Sequence, residues 1–188
     1  MGDREKVVDS AKKEPDLPKD SPSVNCSPKT GGIEWKKAPG ATDEDLKAAQ
    51  KMWEDAKKRR LPDGTKPKTV EAMEALENSD KKTVLEIGPG GNSTTPGSWT
   101  DAADPKKGSG STIKFDPNKK GNLSDGTERD PECSLAHEAV HASEMSQGAL
   151  TGEVKDMEIR ATGAENEARK AKGLPQRKKY GAWDIPQK

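Results

Sequence analysis

Apolar residues recur three and four apart in only a few stretches of this 188-residue chain. Leu46, Ala49, Trp53 and Ala56 form one such stripe and predict a helix with one buried face. Thr42 is placed to cap it. Asp43, Glu44 and Asp45 occupy the first turn and Lys57, Lys58, Arg59 and Arg60 the last, so charge complements the helix dipole at both ends. After a Pro-Asp-Gly turn, Thr69 opens a shorter helix with Val70, Met73 and Leu76 inward. Residues 83–87 alternate weakly, as a strand does. Residues 111–116 read as a second strand, with Ile113 and Phe115 on one face and Pro117 as its stop. Residues 88–97 and 118–130 are rich in turn formers and read as loops. A third helix opens at Asp130-Pro131, where a carboxylate accepts from free amides and proline suits the first position, and it runs to about Gln147. A fourth follows Gly148 and Gly152 and continues to about Lys172.

Residues 1–40 lack this periodicity. They mix Lys, Asp, Glu, Pro and Ser, and are read as a disordered leader or linker, which leaves 41–188 as a single α+β domain. Leu, Ile, Val and Phe total 22, too few for a large dry core. Acidic and basic residues balance at 33 each and are interspersed, which removes the electrostatic support for nucleic-acid binding. No apolar run could span a bilayer, and the charged N-terminus lacks the apolar core of a secretory signal. Export would then use another route. Met-Gly at the start is no myristoyl anchor, because Lys6 stands where that motif needs Ser or Thr. Cys26 and Cys133 are too few for a disulfide framework and read as reduced thiols. A monomer is expected.

The chemistry concentrates at His137-Glu138-Ala139-Val140-His141. On a helix, residues four apart share a face, so the two imidazoles can hold one zinc ion. Glu138, about 100° round the helix, is near enough to reach water on the metal without being a ligand. These are the only histidines in the chain. Cys133 stands about 12 Å from residue 141 along the axis, too far to join them. It reads instead as a packed residue or a modest thiol near the site. The third ligand should therefore be a carboxylate, and the fourth helix offers Glu153, Asp156, Glu158, Glu165 and Glu167. The glycines at 88–91 lack the Lys-Ser or Lys-Thr ending of a phosphate loop and are read as plain loop.

The stretch from Ile113-Lys114-Phe115-Asp116-Pro117 through Ser134–Ala142 and Glu158-Ile159-Arg160-Ala161-Thr162-Gly163-Ala164-Glu165-Asn166-Glu167 to Gly173-Leu174-Pro175-Gln176-Arg177-Lys178-Lys179-Tyr180 resembles a known family. It is similar to the zinc-metallopeptidase effectors of bacterial type III secretion systems and the related tips of polymorphic toxins. The resemblance covers roughly the C-terminal half. It implies proteolysis of a protein substrate in a target cell, after secretion or translocation, with a secretion chaperone or immunity protein as possible partners. Ala139 departs from the bulky aliphatic residue usual after the motif glutamate, which predicts looser packing behind the helix.

A small zincin-like fold is thus expected, with the strand at 111–116 bordering the cleft and free to pair with substrate. Zn2+ would polarise the scissile carbonyl while Glu138 moves the water proton to the leaving amine. Tyr180 is a candidate oxyanion donor, with a core or rim tyrosine as the alternative. Arg177 reads as a surface or ion-pairing residue. Glu158 is chosen as third ligand by folding the two helices about residue 150, which puts 158 level with His141 and leaves Glu165 two turns beyond, roughly 10 Å off. The same hairpin explains Ala161, Gly163 and Ala164 as small residues at a close helix contact, and the family's Glu-x-x-x-Thr-Gly pattern agrees. The rival reading is a binding module with a structural zinc and no catalysis.

Overall fold

A computed structural model describes residues 31–187. Its elements run β1 (Gly32–Lys37), α1 (Asp43–Lys57), α2 (Lys68–Asn78), β2 (Lys82–Ile87), β3 (Ser93–Pro96), α3 (Trp99–Ala102), β4 (Ser111–Phe115), α4 (Pro131–Ser146), α5 (Val154–Ala171), β5 (Lys179–Tyr180) and β6 (Trp183–Asp184). The protein is α+β, with a small mixed sheet in the order β1-β2-β4-β3 and a two-stranded β5-β6 ribbon. β1, β2 and β4 are mutually parallel, and β3 runs antiparallel on β4.

Period-two patterning sets the core. Thr83, Leu85 and Ile87 of β2 pair in register with Ser111, Ile113 and Phe115 of β4, and all six are buried. The intervening residues are half-buried or exposed. The three parallel strands are therefore covered by helices on one face only, unlike those of most all-parallel sheets. Trp53, Met73, Leu76 and Leu135 close the core over it. From α4 come Ala136, Ala139 and Ala142, each at most 1% exposed. The small side chains of this row let the helix backbone approach the sheet. Ala139, expected to leave looser packing, is fully buried within that cluster.

Two helix caps follow the sequence, while α2 starts at Lys68 behind Pro67, one residue ahead of Thr69 and with no side-chain cap. Thr42 and Asp45 form a reciprocal capping box. Asp130 accepts from the Cys133 amide at 2.8 Å, with Pro131 at the helix start. The first helix ends at Lys57, so Lys58 to Arg60 lie beyond it.

Three expectations are corrected. The leader reading of 1–40 overlaps β1, whose Ile33 and Trp35 pack against the core, with Trp35 edge-on to Trp53 at 5.9 Å. A Pro-Gly-rich neighbourhood hid a six-residue strand. The rest of that stretch, up to residue 30 and including Cys26, lies outside the described residues. The loop at 88–97 contains β3, too short to show an alternation. β4, expected to border the cleft with a free edge, is paired on both sides, and β3 is the edge strand.

Candidate metal centre

α4 and α5 form the predicted antiparallel hairpin, and their facing sides carry the site. His137 and His141 stand one turn apart on α4 with Nε2 atoms 3.2 Å from each other. Glu158 Oε2, from α5, lies 3.2 Å from His137 Nε2 and 3.4 Å from His141 Nε2. Donor atoms about 2.0–2.2 Å from a tetrahedral zinc ion stand roughly 3.3–3.6 Å apart, so the three present the triangular face such an ion needs. The histidines are buried and Glu158 is half-buried. Two imidazoles and a carboxylate suit zinc chemically. Among the described residues no other His, Cys, Asp or Glu joins the group.

Electrostatics favour a cation at this point. Burial alone would push the His137 pKa down, but Glu158 and Glu165 hold it up at about 9. Burial opposes ionisation of Glu158 as well, yet the two histidines pull its pKa well below the usual carboxylate range.

Glu138 lines the cleft beside the donors. The Thr94 hydroxyl, from β3, lies 2.7 Å from its carboxylate and 3.1 Å from its backbone carbonyl, fixing the side chain's direction. Tyr180 stacks on His137 with ring centroids 5.8 Å apart and planes 7° apart. Trp183 stacks on Tyr180 in turn. Burial and the nearby Glu158 charge raise the Tyr180 pKa to about 12, so its hydroxyl keeps its proton.

Glu165 does not overshoot the site. Its Oε2 lies 3.2 Å from His137 Nδ1, although poorly aligned for a hydrogen bond. The ring of His137 spans the gap, presenting Nε2 to Glu158 and Nδ1 to the carboxylate two turns further along α5. Arg177 pairs with Glu165 Oε2 at 2.6 Å, and Arg169 approaches its other oxygen at 3.5 Å. All three side chains are buried. Arg177 is therefore an ion-pairing residue rather than a surface one. Asn166 clamps its backbone, accepting from the Arg177 amide at 2.7 Å and donating to its carbonyl at 2.9 Å. Asn166 was legible only as part of the family motif, Glu165 was weighed only as a metal donor, and Thr94 had no signal of its own.

Two further readings change. Gly163 has nothing within 4 Å of where a Cβ would stand, so it does not mark the close contact; buried Ala161 and Ala164 do. No contact in the structure explains that glycine. Cys133 is a free, fully buried thiol whose pKa burial pushes far up, which makes it a packed residue and removes the modest-thiol alternative. Glu153, Asp156 and Glu167 do not join the donor group.

A His-Glu-x-x-His helix met by a carboxylate from the next helix defines the class: an α+β protein with a metallopeptidase-type site. The Peptidase_M91 family, described as effector protein, matches residues 44–181, and the chain belongs to this family of zinc-metallopeptidase effectors. Neither a curated protein nor a solved structure matches significantly. Among the described residues no helix is long and apolar enough to cross a membrane.

Proposed function

We propose that the protein is a zinc-dependent endopeptidase of zincin type that acts on a protein of a target cell. The observation that carries this reading is the triangle of His137, His141 and Glu158 donor atoms with the Glu138 carboxylate held beside it by Thr94. Zinc, bound by those three residues, would polarise the scissile carbonyl and acidify water at its open position. Glu138 takes the proton of the attacking water and delivers it to the leaving amine. Tyr180, protonated and stacked over His137, donates to the oxygen on which charge develops. Glu165 orients His137 through Nδ1, and Arg177 holds Glu165. Extended substrate pairs with the free edge of β3, the strand that carries Thr94.

A binding module with a structural zinc would need a closed, four-donor site and no base. Three donors and a positioned Glu138 argue for catalysis. The protein would reach its substrate by secretion or translocation, as an effector-family member, and would act as a monomer that meets a secretion chaperone or immunity protein on the way. Zinc-loaded protein and its Glu138→Gln variant, incubated with target-cell lysate, test this through mass spectrometry of new peptide termini. New termini should appear with the parent only, at equal zinc content. Equal termini from both proteins would defeat the assignment of Glu138.

A further inference from the structure

Trp99 and Val154 are the large apolar residues that the described chain leaves exposed, at 63% and 62%. They are not scattered. Both line one pocket of about 250 Å3 with Leu150 and Met157, beside Glu138 and Glu158 of the candidate centre. Small-molecule sites start at about 300 Å3, so this volume suits one large side chain.

The backbone holds Trp99 out. Ser98 caps its turn, accepting from the Asp101 amide at 3.2 Å and donating its own amide to Ser109 Oγ at 3.0 Å. Leu150 donates its amide to the Ala102 carbonyl at 2.9 Å. Two glycines then press this segment onto the end of α4. A Cβ on Gly148 would stand 2.0 Å from the Asp104 carbonyl oxygen, and one on Gly108 would stand 2.0 Å from that of Ser146. Both adopt positive φ, +67° and +62°. An indole left in the open beside a cleft is an apolar surface that a partner can cover. The other arm of the cleft, about 300 Å3, is mostly polar, with Asn92, Lys119, Ser124 and Arg129 on its walls. The apolar demand therefore falls on one side of the centre.

We propose that the Trp99–Val154 pocket is a specificity subsite, receiving a bulky aromatic or long aliphatic side chain of the substrate residue next to the scissile bond. This rests on the peptidase reading above. The test uses full-length, zinc-loaded protein and two peptide hydroxamates that differ only in a Phe or an Ala side chain beside the hydroxamate, with affinities measured by calorimetry. The Phe ligand should bind about tenfold tighter, and Trp99→Ala should erase the difference at unchanged zinc content. Equal affinities for the two ligands would overturn the subsite. So would a Trp99→Ala variant that keeps the preference but turns a dimer into a monomer, because the indole would then cover a second copy. A peptide library cut with no apolar preference beside the new termini would also sink the subsite and leave the peptidase reading standing. Apolar-selective binding with no peptide cut would do the reverse.

Discussion

Glu165→Gln keeps the shape of a side chain only 2% exposed but removes the charge that Arg177 and Arg169 share. Both arginines are themselves buried, at 5% and 1%. Removing one partner of a buried ion pair costs about 3–5 kcal/mol, chiefly because the remaining charge stays desolvated and unpaired. For a domain of this size about 1 kcal/mol moves the midpoint by roughly 2–4 °C, so the melting temperature should fall by roughly 6–20 °C. A second readout separates positioning from bulk stability. Glu165 Oε2 stands 3.2 Å from His137 Nδ1, and outer carboxylates of this kind are worth about 10–100-fold in metal affinity. Zinc affinity, measured by chelator competition well below the new midpoint, should weaken by that factor. An unchanged melting temperature with unchanged zinc affinity would refute the claim that Glu165 joins the arginines to the metal centre.

Glu158→Ala should weaken zinc binding by more than about 100-fold, beyond the effect of Glu165→Gln, because it removes a donor and not a donor's support; chelator competition again decides. Thr94→Val deletes the 2.7 Å contact to Glu138 while sparing the donors, so kcat should drop about tenfold with zinc content unchanged. Asp125 gives a pH prediction. Burial would raise its carboxyl, but the Thr127, Lys178 and Lys179 amides hold it down at about 2, against an ordinary value of 3.8. A depressed pKa stabilises the fold above the ordinary value and ceases to do so as pH falls toward 2. Asp125→Asn should therefore unfold earlier in urea at pH 6 than the parent, and the gap should close between pH 4 and pH 2. A gap that stays constant over that window would show that the carboxylate charge is not what pins the segment leading to Tyr180.

Where the sequence carried a periodic or spaced signal, the fold followed it. The Thr42 and Asp130 caps, the α4–α5 hairpin and the level at which Glu158 faces His137 and His141 all derive from local rules that tertiary packing did not override. β1 lies in a stretch rich in proline and glycine and β3 has only four residues, and both owe their existence to hydrogen bonds with strands further along the chain, which no local pattern announces. Glu165 was placed from Cα levels alone. His137 offers two nitrogens on opposite sides of its ring, so carboxylates two turns apart both reach it. Gly163 shows the converse hazard, a residue type assigned to a contact that its neighbours make.

The proposed centre is a three-residue zinc site with its fourth position open. Zinc-edge X-ray absorption of the loaded protein reads that donor set. Two imidazole nitrogens, one carboxylate oxygen and one exchangeable oxygen should surround the ion at about 2.0–2.2 Å. A fourth protein donor, or a sulfur at about 2.3 Å, would contradict it.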